Sequence, residues 1–238
     1  MQLYIGNKNY SSWSMRPWVL MKQAGIAFDE VMLRFDAFTP ESRFKTELSR
    51  ISPAGRVPVL VDEGFAVWDT LAIAEYLAER FPDKQLWPEN AKARARARSV
   101  CAEMHAGFGA LRSHFPMNIE ARLPEVGERV LREQAEVRKD VARIVQIWTE
   151  LLQASSGPLL FGRFSIADAY FAPVVMRLTR YGVPVPEPLA EYLVAVQALP
   201  GVEAWVREAM AEKDFLDFEE PYRRAGSSSS AAQGANSA

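Results

Sequence analysis

Three serines lie close together near the start of the chain. Ser11, Ser12 and Ser14 follow the apolar stretch Gln2–Ile5 and surround the start of a helical pattern that contains Pro17. Serine favours helix starts, because its hydroxyl accepts a hydrogen bond from the first backbone N–H groups. The hydroxyls and N–H groups at a helix start also favour a bound anion. The pattern therefore predicts either plain helix caps or a site that stabilises an anion such as a thiolate.

Two further residue pairs could bind a peptide-like ligand. A cis Val57–Pro58 bond would leave the backbone N–H and C=O of Val57 free to pair with such a ligand, and cis bonds are nearly confined to X–Pro. A trans proline on an edge strand is the alternative, and the local sequence favours neither. Asp69 and Thr70 stand at a predicted helix start, where they serve as a cap, as a carboxylate site, or as both.

The first 82 residues alternate between strand and helix patterns. Strands are predicted at Gln2–Ile5, Phe28–Leu33, Val57–Val61 and Phe65–Trp68. Helices are predicted from the serines to a stop at Gly25, with Pro17 in the first turn, over Thr39–Leu48, and from Asp69 through Leu71–Leu77. The order β-α-β-α-β-β-α predicts an α/β domain at residues 1–82.

The later patterns are helical. Residues 83–90 are polar and carry a proline, which predicts a linker. An all-helical domain is predicted at residues 91–215, with helices over residues 91–115, 123–152, 165–178, 189–199 and 201–213. Within it, Ser165 and Asp168 have the spacing of a capping box. The chain ends in small and polar residues, so residues 216–238 are expected to form a largely disordered tail.

Composition argues against several classes of function. The 238 residues include 28 basic and 30 acidic side chains, a net charge of −2, which argues against a nucleic-acid binder or a polybasic membrane anchor. No apolar run approaches the ~20 residues of a membrane span, and no secretory signal is recognisable. One cysteine and two histidines give neither an internal disulfide nor a zinc site. We therefore expect a soluble, cytoplasmic protein without a metal.

Four segments in register resemble the cytosolic glutathione transferase family, and within it the serine-using, zeta-like bacterial members. They are Ser-Ser-Trp-Ser-Met-Arg at residues 11–16, and the segments at residues 52–60, 69–77 and 162–168. The resemblance spans residues 1–215. It implies a thioredoxin-like N-terminal domain that binds glutathione as a co-substrate, a cis Pro58, an all-α C-terminal domain and a homodimer.

The resemblance implies a role for the serines. Ser11 would donate a hydrogen bond to the glutathione sulfur, with Ser12 and Ser14 as the alternatives. Thioredoxin-like redox proteins carry a Cys-x-x-Cys pair at the spacing of Ser11 and Ser14, and serine cannot form a disulfide, so dithiol oxidoreduction is excluded. The cysteine of the zeta-type motif is replaced by Trp13.

The resemblance also implies how the rest of glutathione is held. Arg56 would bind the glycyl carboxylate, and the backbone of Val57, beside Pro58, would pair with the peptide part. Asp69 would meet the ammonium group, and the hydroxyl and N–H of Thr70 would hold the γ-glutamyl carboxylate.

Three functional hypotheses follow. The first is a glutathione transferase, in which the thiolate attacks a small apolar electrophile between the domains. The second is a glutathione-dependent isomerase of the maleylacetoacetate type, which recycles glutathione and needs basic residues for a diacid; Arg16 and the arginines at the start of the helix predicted at 91–115 are the candidates. The third is a non-catalytic protein that binds glutathione or another ligand.

Overall fold

The computed structural model describes residues 1–224, and its N-terminal part is built on a four-stranded mixed sheet. The spatial order of the strands is β2-β1-β3-β4, with bounds β1 (Gln2–Ile5), β2 (Asp29–Met32), β3 (Val59–Asp62) and β4 (Phe65–Trp68). β1 and β2 are parallel, whereas β3 is antiparallel to both of its neighbours. The helices of this domain are α1 (Ser12–Gln23), α2 (Arg43–Ser49) and α3 (Thr70–Arg80). The predicted order β-α-β-α-β-β-α is confirmed.

The first helix begins at the serines. The Oγ of Ser11 accepts a hydrogen bond from the N–H of Ser14 at 3.4 Å and so caps α1. Beyond the other end of the helix, Gly25 has φ +65°, a conformation that favours glycine. Pro17 lies in the interior of α1 and not in its first turn as expected, because the helix already begins at Ser12.

The second helix begins later than predicted. α2 begins at Arg43 instead of Thr39, because Ser42 caps it by accepting a hydrogen bond from the N–H of Lys45 at 3.2 Å. The carboxylate of Asp36 accepts from the N–H of Arg43 at 2.9 Å and satisfies a second donor of the first turn.

The third strand also begins later than predicted. The Val57–Pro58 bond is cis, as the resemblance implies, and the paired strand starts at Val59, opposite Tyr4. Pro58 has no N–H to donate to the sheet, so the predicted start at Val57 is wrong. Val57 consequently stands before the paired part of β3.

The rest of the described chain, up to residue 224, is helical, as predicted. Its helices are α4 (Ala91–Ala106), α5 (Gly109–His114), α6 (Pro124–Glu133), α7 (Ala135–Ala154), α8 (Ile166–Arg180), α9 (Glu187–Gln197) and α10 (Pro200–Glu212). Short 3-10 helices occupy Pro82–Lys84 and Asp217–Glu219. Within residues 1–224, no helix is both long enough and apolar enough to cross a membrane.

Two of the predicted helices are each divided into two. The helix predicted at residues 91–115 ends after Ala106, because Gly107 is extended and Phe108 has φ +57°. The helix predicted at residues 123–152 is interrupted at Gln134, whose φ of −109° and ψ of 97° are not helical. Glycine at position 107 signals the first break, whereas glutamine at position 134 gives no such signal.

Helix α1 joins the two domains. It packs against α3 in its own domain and against α8 and α10 in the helical domain. Trp18 on α1 and Trp205 on α10 are fully buried and meet edge to face, with ring centroids 5.3 Å apart. One hydrophobic core therefore runs through both domains, and the serines at the start of α1 lie at their boundary.

The C-terminal segment (residues 214–224) packs back onto the start of the chain. The Tyr10 hydroxyl donates to a carboxylate oxygen of Glu220 at 2.8 Å and is 3.1 Å from the carbonyl oxygen of Asp214. The Tyr222 hydroxyl donates to the carbonyl oxygen of His114 at 3.0 Å. The expectation of a disordered tail is wrong for residues 216–224, because these bonds fix the segment; residues 225–238 lie outside the described residues.

Candidate active site

Two adjoining cavities lie where the domains meet. The serine cavity, of about 490 Å³, is lined by Tyr10, Ser11, Ser12, Trp13, Phe35, Phe38, Phe44, Lys45, Arg56, Val57, Arg112, Pro116, Met117, Arg177 and Glu219. The Asp69 cavity, of about 480 Å³, is lined by Trp13, Ala54, Arg56, Val57, Pro58, Trp68, Asp69, Thr70, His105 and Arg112. The two share four lining residues, so together they form one groove. Of the eight predicted site residues, only Ser14 lines neither cavity.

Ser14 lies behind the cavity wall. Its side chain is fully buried, and its Oγ accepts hydrogen bonds from the N–H of Gly6 at 3.1 Å and from the Ser11 hydroxyl at 2.7 Å. Ser14 therefore joins the start of α1 to the end of β1. Its position is that of a structural residue that orients Ser11.

Ser12 faces the helical domain. Its Oγ accepts a hydrogen bond from Nη2 of Arg177 at 3.2 Å, and its carbonyl oxygen accepts from Nη1 of Arg16 at 3.3 Å. A serine hydroxyl has a single proton to donate, and the Ser12 hydroxyl donates no hydrogen bond to another group within residues 1–224. Ser12 can therefore donate to a group in the cavity while Arg177 holds its oxygen.

The arginines around Ser12 are deeply buried. Arg16 is 1% exposed and Arg177 5% exposed. Loss of hydration lowers the pKa of Arg16 to about 10, and loss of hydration together with the charge of Arg16 lowers the pKa of Arg177 to about 9. Arg112 is partly buried on α5, with its guanidinium 5.5 Å from the Trp13 ring centroid. Both buried guanidinium groups keep their charge at neutral pH and raise the electrostatic potential at the serines.

The start of α3 has an unusual backbone. Asp69 has φ +76°, which is uncommon for a residue other than glycine, and its carboxylate caps the helix by accepting from the N–H of Leu71 at 2.8 Å. Strained residues of this kind cluster at functional sites. The Asp69 side chain is 43% exposed and lines the groove, so the cap leaves carboxylate surface for a ligand.

Two side chains of the helical domain contact this helix start. The Tyr170 hydroxyl lies 2.7 Å from Oγ1 of Thr70 and 3.4 Å from Nδ1 of His105. Nε2 of His105 lies 3.3 Å from a carboxylate oxygen of Asp69. Burial raises the pKa of Tyr170 well above its ordinary value, so its hydroxyl stays protonated. The helical domain thus orients both residues predicted to bind the γ-glutamyl end of glutathione.

Basic residues line the groove between the serines and α3. Arg56 and Val57 line both cavities, whereas Pro58 lines only the Asp69 cavity. Nζ of Lys45, on α2, donates to the carbonyl oxygen of Gly55 at 2.7 Å and also borders the serine cavity. Within residues 1–224, no group of three or more His, Cys, Asp or Glu side chains could hold a metal ion.

Both domains match known family models. Residues 10–80 match the model described as "Glutathione S-transferase, N-terminal domain", and residues 91–208 match "Glutathione S-transferase, C-terminal domain". The chain belongs to the glutathione S-transferase family. The resemblance drawn from the four sequence segments is confirmed at this level, whereas membership of the serine-using subgroup stays a prediction.

The known proteins that are similar to this chain carry names that describe different functions. The chain is 28% identical over 137 residues to a stringent starvation protein A homolog of Pasteurella multocida, across 58% of this chain and 59% of that protein. It is 28% identical over 191 residues to the maleylacetoacetate isomerase of Pseudomonas aeruginosa, across 77% of this chain and 84% of that protein. A solved glutathione transferase homolog from Burkholderia GL BGR1 with bound glutathione is 25% identical, with a TM-score of 0.66 over 88% of this chain and 98% of that one. Membership of the family therefore does not by itself fix the reaction.

The sequence patterns do not indicate the basic residues that the helical domain brings to the groove. Arg16 is buried behind Trp13 and lines neither cavity. None of the α4 arginines lines either cavity: Arg94 donates to the carbonyl oxygen of Glu89 at 2.7 Å, Arg98 binds Glu75 at 2.7 Å, and Arg96 is exposed. Arg112 on α5 and Arg177 on α8 line the serine cavity instead. Neither stands in a motif, so only the packing of α5 and α8 against α1 could identify them.

Proposed function

We propose that this chain is a glutathione transferase that activates the glutathione thiol at the start of α1. The observation that carries the proposal is the pair of hydroxyls, Ser11 and Ser12, which wall the serine cavity at a helix N-terminus close to buried guanidinium groups. Hydroxyl donors, a helix N-terminus and positive charge each favour the thiolate over the thiol. The thiolate sulfur then forms a bond to an electrophilic carbon of a second substrate in the same cavity, and the leaving group or conjugated system takes the electron pair.

The groove also fits the rest of glutathione. We propose that Asp69 binds the ammonium group and that the hydroxyl of Thr70 binds the γ-glutamyl carboxylate at the start of α3. The backbone of Val57, which precedes the paired part of β3, would bind the peptide part, and Arg56 the glycyl carboxylate. These contacts orient the thiol toward the serines, so that the protein contributes position and electrostatics and forms no covalent intermediate of its own.

The hydrogen bonds favour Ser12 over Ser11 as the donor to sulfur. The Ser11 hydroxyl already donates to Ser14 at 2.7 Å, whereas the Ser12 oxygen accepts from Arg177 and its proton remains for a ligand. Ser11 can donate only by giving up its bond to Ser14. We therefore expect Ser12→Ala to raise the pKa of the bound thiol more than Ser11→Ala does.

An ultraviolet titration of bound glutathione tests this proposal. In the wild type, the thiolate band should report a thiol pKa about 1–2 units below that of free glutathione, and Ser12→Ala should remove most of the shift. Ser99→Ala, on the outer face of α4, is the matched control. Glutathione bound with an unshifted thiol would contradict the proposal and favour a non-catalytic binding protein. Turnover with full recovery of glutathione would indicate an isomerase.

We also propose that the chain forms a homodimer. Two large side chains of the edge strand β4 are exposed, Phe65 at 65% and Trp68 at 43%, and exposed apolar groups of this size favour burial by a partner. Sedimentation equilibrium should give twice the mass of one chain. A single-chain mass at micromolar concentration would contradict this proposal without affecting the thiolate site.

A further inference from the structure

The serine cavity carries more positive charge than glutathione needs. Arg177 lines its wall from α8 and Arg112 from α5, with Arg16 buried directly behind. In residues 1–224, no carboxylate oxygen lies within 4.0 Å of a guanidinium nitrogen of Arg16, Arg112 or Arg177. A buried cation without an ion-pair partner is costly, so its presence on a cavity wall indicates an anionic ligand.

The hydrogen bonds of Arg177 hold it in place without neutralising it. Its Nε donates to the carbonyl oxygen of Phe115 at 2.7 Å and its Nη2 to Oγ of Ser12 at 3.2 Å. Both acceptors are neutral. The guanidinium is therefore fixed at the cavity wall as a full positive charge.

The carboxylates of glutathione are not expected to pair with these arginines. Its two carboxylates are assigned to Thr70 on α3 and to Arg56, both in the N-terminal domain, and its thiolate brings a single negative charge to the serines. Arg112 and Arg177 belong to the helical domain; Arg112 lines both cavities, whereas Arg177 borders only the serine cavity.

The C-terminal segment supplies the sole acidic side chain that lines the serine cavity among the described residues. Glu219 is partly buried there, and its charge and that of Arg177 stabilise one another although no ion pair forms. Loss of hydration, together with the neighbouring Glu220, raises the pKa of Glu219. Repulsion from Glu219 would therefore weaken the binding of an anion at Arg177.

We infer that the second substrate is an electrophile that bears a carboxylate, which Arg112 and Arg177 bind, and that Glu219 limits how strongly this anion is preferred. The inference rests on the proposed function and narrows its substrate class from apolar to anionic electrophiles. It assigns specificity to three residues that are not among the predicted glutathione-binding residues.

A pair of electrophiles that differ only in charge tests the inference. Ethacrynic acid carries a conjugated enone remote from its carboxylate, so its methyl ester has similar reactivity toward thiolate but no charge. The wild type should give a higher kcat/KM with the acid than with the ester. Arg112→Gln should lower the acid-to-ester ratio about tenfold, the size expected for loss of one partly buried charge contact. Glu219→Gln should raise the ratio, and Arg96→Gln, an exposed arginine of α4, should leave it unchanged.

A binding measurement separates this inference from the proposed function. Calorimetric titration with the preformed glutathione conjugates of the acid and of the ester needs no turnover, and Arg177→Gln, if folded, is included. Tighter binding of the acid conjugate, reduced by Arg112→Gln, supports the inference even if the chain catalyses neither reaction. The inference is overturned if the acid-to-ester ratios of affinity and of kcat/KM are the same in the wild type, Arg112→Gln and Glu219→Gln. In that case, conjugation of the ester by the wild type would still support the transferase proposal.

Discussion

At the scale of single residues, Thr70 is the point where both domains meet the predicted γ-glutamyl site. Its hydroxyl lies 2.7 Å from that of Tyr170, and the residue is 2% exposed while it lines the Asp69 cavity. Thr70→Val removes the hydroxyl at nearly constant volume, so we expect KM for glutathione to rise about tenfold with little change in kcat, the pattern of lost uniform binding. Thr70→Ser keeps the hydroxyl and is the matched control. Steady-state kinetics with varied glutathione check this, and an unchanged KM in Thr70→Val would exclude a binding role for the hydroxyl.

The same residues show what sequence can and cannot predict about the site. Ser11, Val57 and Asp69 stand at element boundaries with local signals, and the structure brings all three to one groove. Arg177 carries no local signal, because its role depends on contact with Ser12, 165 positions earlier in the chain. Contacts of this range come from packing between domains, which side-chain patterns in one segment do not encode.

At the scale of elements, the capping box of α8 is the clearest agreement between sequence and structure. The Asp168 carboxylate accepts from the N–H of Ser165 at 3.0 Å and from its hydroxyl at 3.1 Å, at the predicted spacing. The breaks at Gly107 and Gln134 were not predicted. The spacing of apolar residues indicates which face of a helix is buried, but it does not reveal a single residue with a non-helical backbone conformation.

The buried carboxylate of this box predicts a pH dependence of stability. Burial raises the pKa of Asp168 from 3.8 to about 6, although its hydrogen bonds oppose the shift. The folded state then binds more protons than the unfolded state between pH 4 and 6, so this group's contribution to the free energy of unfolding falls as the pH rises through that window.

We therefore expect the stability advantage of the wild type over Asp168→Asn, which cannot titrate, to shrink by up to about 3 kcal/mol between pH 4 and pH 7. Urea unfolding at a series of pH values measures both proteins. An advantage that grows with pH would mean that the hydrogen bonds outweigh burial and that the folded pKa lies below 3.8.

At the scale of the whole molecule, the groove exists because α1 packs on two domains at once. The predicted order of elements gives each domain, but not the angle between them, which depends on buried contacts such as that of Trp18 with Trp205. The C-terminal segment was missed for a similar reason. Its composition is polar, and its order comes from specific partners at the start of the chain, such as Tyr10 for Glu220.

Removal of the C-terminal segment should therefore affect both stability and specificity. A chain that ends at Lys213 loses the bond of 2.6 Å between Asn7 and Asp214, the bonds of Tyr10 to the segment, and Glu219 from the cavity wall. We expect the free energy of unfolding to fall by about 2–3 kcal/mol, which should lower Tm by about 5–10 °C. A chain that ends at residue 224 keeps every contact of the segment described above and is the matched control.

The two effects of this truncation have different origins and can be separated. The fall in Tm reports the hydrogen bonds to the start of the chain, whereas loss of Glu219 should raise the preference for an acidic electrophile over its ester, as Glu219→Gln does. If the chain ending at Lys213 has the same Tm as the control but a higher preference for the acid, the segment affects only the charge of the cavity. If it melts early with an unchanged preference, the segment stabilises the fold and Glu219 does not influence the substrate.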